Sequence, residues 1–245
     1  MLATAAVLTA LFVVGAIAGT WIDHAADAIP ADRAWFGLPA CANCAQPWRG
    51  LALLPVAGWL VARRCPKCGE PISPLRPLTE AAGGLLFALA YLRFGPGPTF
   101  LSTAAFAALL LVILRIDWRH HLIFTNTILA GLLLAFGYAA IGSREPNGLL
   151  WAVVAAAAAA ALFLLLYVLA LAVYRRRALG FGDVLLAALL GAMTGPDVAR
   201  ALVIGMVLAA GGGLLLVALK VRTMRDFIPY GAYLCAGTIV TLLLR

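Results

Sequence analysis

Eight long apolar runs, separated by short polar stretches, leave this chain few ways to fold. About 20 apolar residues cross the hydrocarbon of a bilayer as a helix, and inside lipid every backbone N–H and C=O has to be satisfied within the segment. The runs fall at residues 2–21, 78–94, 99–114, 122–141, 149–174, 184–194, 199–219 and 229–244. The sixth is short for a crossing; Leu179 and Phe181 extend it, or it lies partly inside the bundle. Composition agrees, at 64% hydrophobic and 11% charged with a mean hydropathy of +1.03. Soluble domains are nearer half apolar and a quarter charged. The expected fold is an all-α polytopic membrane protein of about eight transmembrane helices. Residues 1–19 carry no basic side chain ahead of the apolar run, so the first helix is read as one that stays.

The basic residues set the orientation. If the eight runs alternate across the membrane, fourteen of the 18 Lys and Arg fall on one side. They lie in the loop after the first run, at Arg115 and Arg119, at Arg175, Arg176 and Arg177, and at Lys220, Arg222 and Arg225. The other side keeps Arg93, Arg144, Arg200 and Arg245. Positive side chains stay cytoplasmic, so both termini are expected to face outward. The net charge of +8 is accounted for by this asymmetry, and no nucleic-acid partner is expected. Membrane lipid is. Glu145 and Asp197, on the outer side, read as solvated, and so does the helix exit at Asp23, His24 and Asp27, with metal binding as the other reading.

Between the first two runs lies the one sizeable polar piece, residues 22–77. It is too short for a strong core without a staple. The staple is Cys41-Ala-Asn-Cys44 followed by Cys65-Pro-Lys-Cys68. Two C-x-x-C turns at this separation suit tetrahedral thiolate coordination, and a closed four-sulfur set reads as structural zinc. Lys67, Arg63 and Arg64 favour thiolates there. The fifth cysteine, Cys235, falls in the last run and reads as packing. The expected organisation is a first helix over 1–21, a zinc module over 22–77 and a seven-helix membrane domain over 78–245.

Two carboxylates stand out. Gly180-Phe181-Gly182-Asp183 puts an acid behind two glycines at the lip of an apolar helix. A carboxylate at membrane depth is costly and marks function by default; the bland alternative is a helix N-cap. Asp117 leaves the third run on the same side, so both aspartates lie at similar depth. Such a pair in a partly dry site holds one proton between its members. The ionised member can activate water while the protonated one donates to a carbonyl oxygen or leaving amide, which is aspartyl proteolysis. Gly180 and Gly182 would let a substrate backbone approach. His120 and His121 read as interfacial, with tuning of Asp117 as the sharper alternative. Ala155–Ala161 suits close helix contact, and Gly211-Gly212-Gly213 either packs span seven or loosens it as a hinge.

Taken in order, these features resemble the type IV prepilin peptidases. Gly19-Thr20-Trp21 is similar to that family's glycine-serine-phenylalanine stretch. The paired cysteine turns follow, then Pro77-Leu78-Thr79-Glu80 like its proline-x-x-glutamate. Asp117-Trp118-Arg119-His120-His121-Leu122-Ile123 resembles the first catalytic segment, Gly180 to Asp183 the G-x-G-D motif, and Ile228-Pro229-Tyr230-Gly231 the isoleucine-proline-phenylalanine-glycine motif. The resemblance implies cleavage of a prepilin or pseudopilin leader at the cytoplasmic face of the bacterial inner membrane, with Asp117 and Asp183 catalytic and the four cysteines on zinc. For full-length members it also implies N-methylation of the new amino terminus from S-adenosylmethionine. The chain departs at Phe124, where the family has proline, at Leu185, where lysine is common, and at Asp23-His24-Ala25-Ala26, which lacks an expected asparagine and arginine. A proton- or cation-coupled transporter using the same aspartates is the rival reading, and a scaffold that docks through the cysteine module ranks after it.

Overall fold

The structure is a computed structural model that describes residues 2–141, 148–174, 180–220 and 229–245. Arg144, Glu145, Arg175, Arg176, Arg177, Leu179, Arg222, Arg225 and Ile228 lie outside the described residues. The helices are α1 (Leu2–Ala28), a short α2 (Ala57–Val61), α3 (Leu75–Phe94), α4 (Pro98–His120), α5 (Thr125–Ile141), α6 (Gly148–Tyr174), α7 (Phe181–Thr194), α8 (Val198–Ala218) and α9 (Tyr230–Leu244). Two isolated β-bridges are the only β pairing among the described residues.

Long helices therefore stand at all eight predicted runs, but they are unequal. Among the described residues, four segments are long and apolar enough to cross a membrane: Thr4–Ala28, Pro98–His120, Gly148–Val173 and Phe181–Ala218. The last joins α7 to α8 through a 3-10 turn at Gly195–Asp197, where Gly195 takes a φ of +53°. By length and composition the eight-crossing count is thus a loose fit. The helices α5 and α9 have only 17 and 15 residues, and α3 carries Arg76, Glu80 and Arg93.

The chain forms two compact units, Met1–Arg115 and Ile116–Arg245. In the first, α3 runs antiparallel along α1 with the backbones nearly touching. A methyl group at Gly15 would meet the Gly83 carbonyl oxygen at 2.4 Å, and one at Gly19 would meet Glu80 Cα at 2.5 Å. This is the small-residue contact by which helices associate in lipid. It brings polar groups together. Glu80, fully buried, accepts from Thr20 Oγ1 (3.0 Å) and Arg76 Nε (2.9 Å) with one oxygen and from the Val56 backbone N–H (2.6 Å) with the other.

α1 also runs on to Ala28, seven residues past the predicted end of the first span. Of the residues read as a solvated exit, Asp23 is buried and His24 and Asp27 are half-buried. Asp23 is 7% exposed and accepts from Arg115 Nε at 3.0 Å and from Arg115 Nη2, while Arg115 is itself 5% exposed. His24 Nδ1 accepts from the Ala40 N–H at 3.3 Å. Pairing explains the difference: an acid that finds a guanidinium can be taken out of water.

In the second unit α7 is the central helix. Leu186, Ala187, Leu189 and Leu190 have no exposed surface. Phe181 extends α7 to 14 residues, roughly 21 Å at 1.5 Å per residue and short of a bilayer core, and its buried side chains set it partly inside the bundle. The alanine run of α6 meets it closely: a methyl at Gly191 would lie 2.4 Å from the Ala155 carbonyl oxygen. The glycine triplet of α8 is helical throughout, and Gly212 packs under the Tyr233 ring, where a methyl would be 2.6 Å from the hydroxyl, while Gly211 faces open space. Asp197, read as solvated, is paired with Arg200 (3.2 Å) and Arg245 (3.0 Å).

Removing one partner of a buried ion pair strands the other. Asp23→Ala is therefore expected to cost about 3–5 kcal/mol, seen as a lowered unfolding temperature in detergent, with Asp23→Asn losing less.

Candidate active site and metal centre

The last turn of α4 and the first turns of α7 and α9 build the site. Asp117 lies in the final turn of α4 and is 6% exposed. Its Oδ2 accepts the backbone N–H of Ala232 at 2.8 Å, and the Gly231 N–H is turned to the same carboxylate. These amides belong to the first turn of α9, whose N–H groups have no partner within their own helix. The N-terminal end of a helix carries partial positive charge, which suits a carboxylate. Close approach requires glycine at 231. A methyl there would lie 3.1 Å from Asp117 Oδ2 and 3.2 Å from Leu186 Cδ2.

Asp183 is half-buried at the third residue of α7, and its Oδ2 accepts the Gly180 N–H at 3.1 Å. Asp183 is thus not the predicted N-cap; the cap residue is Gly180, and from the third helical position the Asp183 side chain reaches back to its N–H. The carboxyls of Asp117 and Asp183 lie within electrostatic range of each other, so the structure brings the two sequence-predicted acids together. The two glycines differ. A methyl at Gly180 would meet only Asp183 Oδ2 at 3.3 Å and the Gly182 backbone nitrogen at 3.9 Å, whereas one at Gly182 would meet Ile123 Cβ at 3.0 Å.

Three further groups border the pair. His121, with a φ of +52°, stands within electrostatic range of Asp117. The Tyr230 hydroxyl stands in the same relation to Asp183, and the thiol of fully buried Cys235 to both acids. Tyr230 and Cys235 were not singled out as site residues in the sequence. Helix period could have found the thiol, because Cys235 is four residues beyond Gly231 and so on the same face of α9.

The four cysteines form the second constellation, within the first unit. Their Sγ atoms all lie within 4.8 Å of one another, with Cys41–Cys68 and Cys44–Cys65 at 3.6 Å. A tetrahedral zinc with Zn–S near 2.3 Å needs sulfurs about 3.8 Å apart, so the set fits the ion. Two matching turns present them. Cys41 N–H bonds Gln46 O (2.9 Å) and Ala45 N–H bonds Cys41 O (3.0 Å); Cys65 N–H bonds Glu70 O (2.8 Å) and Gly69 N–H bonds Cys65 O (2.9 Å). Each turn is closed by one bridge, Ala40 with Pro47 and Arg64 with Pro71. The Cys68 and Lys67 backbone N–H groups bring the Cys65 thiol down to about 6, toward the thiolate a metal binds. Cys41, Cys65 and Trp48 make the small core, with Leu53 and Ile72 against it. A core of this size cannot hold a fold alone, so the zinc is structural.

A helical membrane protein with paired acids at helix ends, and a four-thiolate module, belongs by class with the aspartyl peptidases of membranes. Comparison with known proteins narrows that class. Residues 13–94 match the Bacterial Peptidase A24 N-terminal domain and residues 104–221 the Type IV leader peptidase family. Similar curated proteins include the prepilin leader peptidase/N-methyltransferases of Klebsiella pneumoniae and Pseudomonas putida. The first is 33% identical over 63% of this chain and 68% of its own length, and the second 32% identical over 84% and 72%. That of Myxococcus xanthus is 31% identical over 74% of this chain, which spans about half of it, 54%. No solved structure matches. The chain belongs to the type IV leader peptidase family, a family of aspartic-type peptidases.

Two outcomes test the metal centre. Purified protein is expected to carry one zinc per chain, lost together with the module's resistance to proteolysis on chelation or in Cys41→Ser. Ala45 holds a φ of +56° where the twin turn has Gly69 at +73°; Ala45→Gly relieves that strain and is expected to stabilise the module by about 0.5–1 kcal/mol, measured as the chelator concentration needed to release the metal.

Proposed function

We propose that this protein cleaves the leader peptide of type IV prepilin-like proteins, with Asp117 and Asp183 as the catalytic pair and Gly180 and Gly182 bordering the substrate. The observation that supports this reading is that the two carboxyls, at the end of α4 and the start of α7, lie within electrostatic range of each other. In the first step one carboxylate takes a proton from water, the resulting hydroxide adds to the scissile carbonyl carbon, and the other acid gives its proton to the carbonyl oxygen. In the second step the acid that gave up its proton takes one back from a hydroxyl of the diol, the C–N bond breaks, and the amide nitrogen leaves as an amine with the proton first taken from water. The exposed Gly180 leaves room for an extended strand beside Asp183. Relatives named as peptidases support the reading, and none of those compared supports the transporter.

The charge asymmetry supports eight crossings in the bacterial inner membrane with both termini outward. In that topology the pair and the zinc module face the cytoplasm. The substrate class follows: a hydrophobic helix whose leader projects into the cytoplasm. N-methylation from S-adenosylmethionine is the second activity in the relatives' names; a methylated N-terminus on the cut product, read by mass spectrometry, assigns it to this chain.

Co-expression with a prepilin is expected to yield the shortened product. Losing one general acid or base typically lowers a rate on the order of 100- to 10,000-fold, and Asp117→Asn and Asp183→Asn should each fall in that range. Unchanged processing in both would remove the pair from the chemistry. Gly231→Ala, which crowds Asp117, is expected to lower turnover more than it changes substrate affinity.

A further inference from the structure

The zinc module carries a second concave surface that neither the metal nor the aspartates use. It is a pocket of about 620 Å³ between the two cysteine turns, lined among others by Trp48, Arg49, Ala52, Val61, Arg63 and Arg64. Three of its walls are arginines and none of its lining residues is acidic. Their partners do not neutralise them. Arg63 stacks over the Trp59 ring at 5.0 Å and Arg64 Nη1 donates to the Gly69 carbonyl at 3.2 Å. Arg49 makes no ion pair among the described residues, and all three are exposed. Beside them α2 turns Leu60 and Val61 outward, at 60% and 66% exposure. Exposed aliphatic side chains next to unpaired arginines are unusual on a water-facing surface and match the boundary between lipid headgroups and acyl chains.

The fold ties this surface to the ends of the membrane helices. Arg76 Nη2 donates to the Ala52 carbonyl at 2.8 Å, and Glu80 Oε2 accepts the Val56 N–H at 2.6 Å, so the segment leading into α2 is fastened to the first turns of α3. Glu80 in turn meets Thr20 of α1, a helix apolar and long enough to span. One residue on, Trp21 Nε1 donates to the Gly37 carbonyl at 2.8 Å and holds the exposed Trp35–Phe36 pair beside the same end of α1. Trp21 closes the apolar run of α1, about two turns before the helix ends at Ala28, and tryptophan at such a place is the usual marker of the membrane–water interface.

We propose that the Arg49–Arg63–Arg64 pocket binds the phosphate of an anionic phospholipid headgroup, with Leu60 and Val61 reaching toward the acyl chains, so that the module rests on the membrane surface. Guanidinium groups match phosphate oxygens in geometry as well as charge, and three of them favour an anionic surface on the order of 100-fold. The proposal rests on residence in a membrane and on the fold of the first unit, and it is independent of the peptidase chemistry.

The test uses the full chain with zinc bound, in nanodiscs of phosphatidylcholine alone or mixed with phosphatidylglycerol. Hydrogen exchange of the amides across 49–53 and 57–64 is expected to slow on the order of tenfold in the mixed discs, a conservative share of that preference. Arg49→Gln with Arg63→Gln and Arg64→Gln should abolish the difference in the molecules that retain zinc, counted on the same sample. Arg49→Gln alone, whose side chain supports nothing else in the module, should reduce it, and Arg49→Lys should restore most of it. Equal exchange in the two kinds of disc overturns the proposal. So does the same slowing in phosphatidylcholine discs on adding inorganic phosphate, which would make the ligand a free anion. Slowing only in discs that hold two chains would make the surface a self-contact and overturns it as well.

Discussion

An ionisable acid inside an apolar helical bundle needs hydrogen-bond donors that water no longer supplies. Asp117 obtains them from the first turn of α9, whose amides have no partner of their own. One contact thus satisfies two costly groups at once, a buried carboxylate and an orphan helix end. The residues ahead of that turn fit the same purpose. Pro229 precedes α9 as its cap and, having no N–H, adds no further donor in need of a partner. Gly231 then lets the carboxylate approach closely, since a Cβ there would crowd it at 3.1 Å. The glycine-containing motif ahead of the last helix thereby serves the first aspartate, although 114 residues separate them in sequence.

The same rule governs the first unit with different donors. Glu80 is satisfied by a guanidinium, a hydroxyl and a backbone amide, and Asp23 by the Arg115 guanidinium. Neither pair is a surface ornament, because in each both partners are almost wholly removed from solvent. Such pairs add little net stability over well-packed apolar side chains, but they penalise any arrangement that separates them. Their contribution here is to specify register. Glu80 with Thr20 sets where α3 lies along α1, and the glycines at 15, 19 and 83 allow the backbones to come that close.

These features differ in how far the sequence discloses them. Apolar runs are a local signal, so all eight long helices were legible, as were the paired cysteine turns, whose spacing is set within a few residues. The two aspartates were legible because an acid beside an apolar run has few bland explanations. The end of α1 was not. Asp23 reads as a polar exit until its partner is known, and that partner lies 92 residues away. Cys235 read as packing for the same reason: its burial is local, but its nearness to both carboxyls depends on how α9 meets α4 and α7. Hydropathy and length speak less clearly for the crossing of the shorter helices. Hydropathy reports that a segment avoids water, and α7 avoids it by being enclosed in protein.

Capping and catalysis by Asp183 were set against each other as readings of one motif, and the geometry removes the opposition. A carboxylate at the third position of a helix accepts the N–H of the cap residue through one oxygen. The other oxygen is not used by that contact. The cap therefore fixes the rotamer of the side chain and leaves half of its carboxylate for another partner, which is what a positioned acid requires. Glycine at 180 keeps the cap residue from adding a side chain beside that oxygen, and glycine at 182 lets the loop at Ile123 close over the helix start. The two glycines and the aspartate are thus one device: the local structure that makes the helix begin is also what aims the carboxyl group.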